Sequence, residues 1–384
     1  MTPHTRRAVA LLAATLFGAA TACSAGTDAA PGPAASPAAE KPPPEGFTLV
    51  ASGDLLVHDS VIRQAAADAD GAGYDFGPML AGVRSLASGA DLAICHMETV
   101  YGPEEGPFTG YPMFHTPPQL AAAVGDLGYD SCSTASNHTL DAGVEGVRRT
   151  LDAMDAAGLK HAGSARSAKE RETPTLLRAG DAKVAHLAYA YGTNGIPVPE
   201  DTPWLVNLID PERIVEDARA ARRAGADVVV VSVHWGTEWQ EAPDELQLSL
   251  ADRLTASALD GRRDIDLIIG THAHVPQAYE KVNGTWVVYG MGDQVAGVMT
   301  DPRGQLGSAA RFTFAPPREQ GGPWTVRKAE FVPFAVRNDP IAVVNLPEAL
   351  ATDPGDAALA DSLEQVKSAV LGRGAAEDGL RMGS

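Results

Sequence analysis

Residues 264–280 read DIDLIIGTHAHVPQAYE. Leu267-Ile268-Ile269 is an apolar run of the right length for a buried parallel strand, and Gly270 lets the backbone turn freely into a loop. The loop carries His272 and His274, with Pro276 keeping the segment extended. Residues two apart in an extended segment point the same way, so the two imidazoles can converge on one metal or on two adjacent ones. A single histidine at a strand end is usually a hydrogen-bonded surface residue. The pair directly after a hydrophobic strand favours a metal site, because open α/β sheets place ligands at the carboxyl ends of their strands.

The rest of the chain must then supply further ligands at other strand ends. Phe47–Ser52 is strand-like and runs into Gly53-Asp54, with His58 four residues beyond Asp54. Leu92–Cys95 runs into His96-Met97-Glu98, and a short strand at Tyr129–Ser133 delivers Asn137, His138 and Asp141. Val228–Val233 is β-branched at every position but Ser232 and apolar on both faces, as in a sheet covered on both sides; it ends at His234. Helical patterns cover Pro117–Leu127, Gly143–Ala157, Pro211–Ala224 and Asp244–Leu259, and only strands are expected after the opening stretch up to about residue 344. The alternation predicts an α/β core of parallel strands completed late by antiparallel ones.

The two ends read differently. Residues 1–22 have Arg6-Arg7, an apolar run from Ala8 to Ala20, and small residues before Cys23, the order of an export signal. Cys23, between Ala20-Thr21-Ala22 and Ser24-Ala25-Gly26, resembles the lipidated cysteine of a bacterial lipoprotein; a plain secretory signal cut nearby is the alternative. Residues 23–46 are rich in Pro and Ala without an apolar face, and read as a tether. The folded domain is expected over 47–345, followed by a helical or disordered tail at 346–384. Together these features place the protein outside the cytoplasm, anchored to the cell membrane by lipid or, alternatively, secreted. An oxidising compartment permits a disulfide between Cys95 and Cys132, and two buried thiols are equally compatible with the sequence.

The formal charge of −19, without a Lys/Arg cluster in the folded part, excludes long-range attraction to nucleic acid. An anionic substrate has to be held by local charge, which again argues for metal. Asp54, His58, Glu98, Asn137, His234, His272 and His274 each have an ordinary structural explanation taken singly, such as a helix cap or a turn residue. All follow predicted strands, however, so one sheet edge can gather them. Carboxylates, an amide oxygen and several imidazoles suit Mn, Fe or Zn and are too nitrogen-rich for Ca or Mg.

The series Gly53-Asp54, His96-Met97-Glu98, Ala135-Ser136-Asn137-His138 with Asp141, His234-Trp235-Gly236 with Glu238, and Gly270-Thr271-His272-Ala273-His274 with Gln277 resembles the bacterial CapA family of poly-gamma-glutamate capsule synthesis proteins. That family is similar to the calcineurin-like metallophosphoesterases. The resemblance implies a four-layer α/β sandwich, two mixed β-sheets flanked by helices, with two divalent metal ions. It implies Asp54 and His274 on one ion, with His58 as a further ligand, and Asn137, His234 and His272 on the other, with Glu98 as the bridge. His138, oriented by Asp141, would protonate a leaving group, and Glu238 and Gln277 are candidate substrate contacts. His96 and the Tyr289–Gln294 segment depart from the family pattern.

Two divalent ions activate water and clamp the oxygens of a phosphoryl or carbonyl group, so hydrolysis is the natural reaction, of an anionic polymer or a phosphoester. The ligands alone do not choose between phosphorus and an amide carbon. The competing reading is a non-catalytic accessory lipoprotein that guides polymer beside a membrane synthase. A structural site is saturated by protein ligands, and the additional pair His138 and Asp141 favours the enzyme.

Overall fold

The computed structural model describes residues 45–319 and 321–384. The export signal, Cys23 and all but the last two residues of the tether lie outside the described residues. Among the described residues no helix is long and apolar enough to cross a membrane.

Two mixed sheets pack face to face. The first runs, edge to edge, through Ile341–Asn345, Thr325–Asn338, Leu306–Ala315, Phe47–Leu55, Leu92–Met97, Ser131–Ser133 and Lys160–Ala162. The last four of these are parallel and the first three antiparallel. The second runs through Tyr279–Val282, Thr285–Val288, Leu267–Thr271, Val228–His234, Ala182–Ala190 and Thr175–Ala179, with four central parallel strands and an antiparallel one at each edge.

Period-2 alternation sorts the strand residues into layers. Phe47, Leu49 and Ala51 face Val228, Val230, Leu267 and Ile269 in the core between the sheets. Val50, Ala93 and Cys95 pack outward against helical Val61, Met79, Leu120 and Val124. On the opposite side Val229, Val231, Val233 and Ile268 meet Ile214, Ala218, Leu250 and Leu254. The result is the four-layer α/β/β/α sandwich expected from the sequence. Helix starts are set by acidic caps: Asp210 accepts from the amides of Glu212 and Arg213 ahead of Pro211, and Asp244 forms a capping box with Gln247.

Segment 346–384 is not an appendage. It forms helices Leu346–Thr352 and Ala357–Leu371 and a strand Leu380–Met382 that pairs with Thr325–Asn338, and Val366, Val370, Ala375 and Leu380 are buried in the intersheet core. The folded unit therefore extends past residue 345. Cys95 and Cys132 sit opposite each other on adjacent strands, Cα to Cα 4.4 Å, and form a disulfide. Gly270 also has a different use from the one its sequence context suggests. It lies inside the strand, opposite Val233, and a Cβ there would meet the Tyr289 carbonyl at 2.0 Å, so it permits close packing rather than a turn.

Candidate metal centre

Strand register builds the site. Asp54 pairs with His96 on one neighbouring strand and with Asp293 on the other, across an irregularity in the Phe47–Leu55 strand. In the second sheet His234 pairs with Thr271, the residue before His272, and its Nδ1 lies 3.0 Å from the Thr271 hydroxyl. The two sheets thus bring their carboxyl ends to one place. Three convergent groups share members there: Asp54, His96 and His234; Glu98, His234 and His272; and Asp54, Glu98, His274 and Asp293. Exposed Glu238 forms a fourth with His272 and His274.

The His-x-His segment does not reach this position by being extended. His272 and His274 have φ of 95° and 55°, in the left-handed region that non-glycine residues rarely occupy. Such backbone conformations persist only where the surroundings hold them, and they cluster at functional sites. Here the His272 amide donates to Asp54 Oδ2 (3.2 Å) and the Trp239 amide to the Ala273 carbonyl (2.9 Å). The two rings stand 5.9 Å apart, with Tyr191 against His272 at 4.5 Å and Trp239 against His274 at 5.6 Å.

Six buried polar atoms in this cluster have no hydrogen-bond partner: Asp54 Oδ1, His96 Nε2, both Glu98 carboxylate oxygens, His272 Nδ1 and Asp293 Oδ2. Buried polar groups are nearly always paired, so a concentration of orphaned acceptors calls for something to satisfy them. A divalent cation does so, and the mixed nitrogen and carboxylate donors fit one. The electrostatics agree. Burial pushes Asp54 up to about 7 and raises Glu98 and Asp293 above the ordinary carboxylate range. It pushes His96 and His272 down to about 3 and His234 well below its usual value. Burial also works against a charge on His274, yet Asp293, Glu98 and Asp54 outweigh it and raise its affinity for a proton. The cluster therefore demands positive charge, and most of its imidazoles stay neutral and able to bind metal.

The remaining expected residues divide. Asn137 Oδ1 is 2.8 Å from His234 Nε2, so it joins the cluster. His138 donates from Nδ1 to Asp141 Oδ2 (2.7 Å), which also accepts from the Phe114 amide (2.8 Å). Its other ring nitrogen lies 3.5 Å from the Asn194 amide group. His138 is in none of the convergent groups, which leaves it available for another role. His58 is also in none of them: it precedes helix Asp59–Asp68, with its ring 5.2 Å from Phe114. Burial pushes it down to about 4. Gln277 is fully buried, its amide spent on the Gln240 carbonyl and on Gln247, so it ties the loop at Gln240 to the helix Glu245–Ala256. Sequence reasoning passed over His96 and Asp293 as departures from a pattern, although both stand at strand ends beside Asp54. Tyr191, Asn194 and Trp239 carried no sequence signal; Asn194 and Trp239 are further non-glycine residues at positive φ.

The helix-flanked pair of mixed sheets with a carboxylate and imidazole cluster at the strand ends is a four-layer α/β sandwich carrying a candidate metal centre. The chain matches the model of the family described as bacterial capsule synthesis protein PGA_cap over residues 48–298, and it belongs to that family. It is 28% identical over 172 residues to the PGA biosynthesis protein CapA of Bacillus subtilis, covering 44% of this chain and 43% of that one. It is 28% identical over 234 residues to a probable polyglutamine synthesis accessory protein of Mycobacterium tuberculosis, covering 58% and 59%. The chain therefore aligns with about half the length of these relatives. Among solved structures it is similar to a putative 5'-nucleotidase from Staphylococcus aureus (TM-score 0.46, 16% identity, 74% of this chain and 54% of that one). It is also similar to a calcineurin-like phosphoesterase from Bacillus subtilis (TM-score 0.42, 16% identity, 85% and 100%).

Proposed function

We propose that the protein is a metal-dependent hydrolase of the cell envelope, acting on an anionic polymer such as poly-gamma-glutamate or on a phosphoester formed during its synthesis. On this reading it works outside the cytoplasm, held to the membrane by lipid on Cys23. The observation that carries the proposal is the coincidence of six unpartnered buried ligand atoms with a His138–Asp141 pair beside them. Asp54, Glu98, Asn137, His234, His272, His274 and Asp293 would hold two divalent ions of the Mn, Fe or Zn type. When bound, such ions supply a water activated near neutral pH and charge to stabilise the oxygens of the attacked group.

The chain's own groups do the rest. Asp141 fixes His138 with its Nδ1 as donor, so Nε2 is the atom that exchanges a proton with the leaving group. The Phe114 amide holds Asp141 in place, and the Phe114 ring packs edge-on against His138 at 4.7 Å, which restricts the imidazole to one orientation. Tyr191 and Trp239 wall the two histidines of the 272–274 loop and limit water access from that side.

The test is His138→Ala against a panel of phosphodiesters, phosphomonoesters and a gamma-linked glutamate oligomer with added Mn²⁺. Retained metal with turnover reduced roughly 10²–10⁴-fold, the loss typical of a removed general acid, is expected. A His138→Ala protein that supports polymer production in cells as well as wild type does would reject the catalytic role. It would favour the second reading, a polymer-guiding accessory protein, which draws support from the name of the mycobacterial relative. For the anchor, Cys23→Ser is expected to release the protein from membranes; a variant that stays bound argues against lipidation.

A further inference from the structure

We propose that His96 is itself a metal ligand, through Nε2, in the part of the centre it shares with Asp54 and His234. The inference rests on the metal-centre reading above and adds to it a donor at a position where the family pattern has a different residue.

His96 lies in the Leu92–Met97 strand, beside Asp54, and is 1% exposed. Its two ring nitrogens have different surroundings. Nδ1 is 2.6 Å from the Ser133 hydroxyl, and that hydroxyl has the Cys95 carbonyl as an acceptor at 3.4 Å. In the proposed arrangement Ser133 accepts from His96 Nδ1–H, which places the lone pair of the neutral ring on Nε2. Nε2 has no hydrogen-bond partner. Its nearest acidic atom, Asp54 Oδ1, is 3.5 Å away and equally unpartnered, a separation too long for an N–H···O bond.

A buried carboxylate oxygen and a buried ring nitrogen facing each other, both without a hydrogen-bond partner, is an arrangement a cation resolves. His234 completes the group: its ring stacks on that of His96 at 4.7 Å and 25°, and its own ligand atom lies within 4.8 Å of the other two. Ser133 then plays the outer partner that fixes tautomer and ring orientation, as such partners do for metal-binding histidines. The disulfide from the adjacent Cys95 to Cys132 ties together the two strands that carry His96 and Ser133. An added imidazole shifts the donor set further toward nitrogen, so this half of the centre should prefer Zn²⁺ or Co²⁺ over Mg²⁺.

His96→Asn is the discriminating variant, because the asparagine amide can replace Nδ1 against Ser133 but does not reach the position of Nε2. Metal-stripped wild type and variant are titrated with Co²⁺ and Zn²⁺, following heat and visible absorption. Wild type is expected to take up metal, and His96→Asn to lose affinity at one site by at least the roughly 10–100-fold that follows from disturbing even an outer partner, with a changed Co²⁺ spectrum. Equal affinity and an unchanged spectrum in His96→Asn, with wild type binding normally, would overturn the His96 assignment alone. Wild type that binds neither ion would overturn the metal centre and this inference together. Should the variant fail to fold, wild type labelled with ¹⁵N-histidine and loaded with ¹¹³Cd²⁺ decides the matter: scalar coupling from cadmium to His96 Nε2 is expected. Its absence, with coupling to His234 and His272 present, would refute the assignment.

Discussion

Acid destabilisation through His186 follows directly from the way the two sheets are joined. The residue is fully buried between them, its Nδ1 2.9 Å from Ser131 in one sheet and its Nε2 2.9 Å from Ser232 in the other. Burial pushes its pKa from 6.5 down to about 3. The unfolded chain takes up this proton near 6.5 and the folded one only near 3, so the contribution is intact above pH 6.5 and is lost progressively between 6.5 and 3. At pH 5, about 1.5 units below the unfolded value, the loss is about 2 kcal/mol. His186→Gln keeps hydrogen-bonding capacity toward both serines and removes the titration. Urea unfolding of both proteins at pH 7.5 and pH 5.0 isolates the term, because the metal-centre groups titrate alike in the two and cancel in the difference. Wild type should lose about 2 kcal/mol more than His186→Gln over that interval. Parallel pH dependence in the two proteins would refute the assignment of a neutral, desolvated imidazole at this joint.

Three further outcomes are expected. A Cβ at Gly53 would meet the Gly292 carbonyl at 1.8 Å, so Gly53→Ala should cost at least the roughly 1–3 kcal/mol of overpacking and weaken metal binding by shifting neighbouring Asp54 or Asp293. Thermal melts of both variants check this: Gly192→Ala, where nothing lies within 4 Å, should be nearly neutral. Chelation should lower the melting temperature reversibly: each ion at about 1,000 times its Kd contributes about 4 kcal/mol. Spread over roughly 340 folded residues at about 2.1 cal/mol/K each, that is a fall of about 6 °C for each ion removed. An unchanged melt with EDTA would contradict it.

How much of this was legible follows from the range of the forces involved. The strands Val228–His234 and Leu267–Thr271 are announced by apolar, largely β-branched runs, because a strand covered on both faces has few polar positions to accommodate. Asp54, Glu98, His234, His272 and His274 could be gathered at one edge because each follows a strand, and strand carboxyl ends share an edge in such sheets. The positive φ of His272 and His274 was not legible, since it is imposed by contacts with Asp54 and the 235–240 loop, more than thirty residues away in sequence. His96 and Asp293 become neighbours of Asp54 only through pairing with strands distant in sequence. The strand Tyr279–Val282 did have a local signal: Asn283-Gly284, both at positive φ, forms its hairpin turn with Thr285–Val288. The core role of segment 346–384 rests on Val366, Val370 and Leu380 packing across a sheet, which no local pattern specifies.

Metal held by the orphaned carboxylate and imidazole atoms is the central feature proposed for the site. The most direct measurement is the metal content of the purified protein after equilibration with Mn²⁺ or Zn²⁺ and removal of free ion, wild type beside His272→Ala. Wild type should retain close to two divalent ions per chain, and His272→Ala clearly fewer, with both proteins folded by circular dichroism. Wild type emerging without metal, or His272→Ala retaining as much as wild type, would contradict the claim.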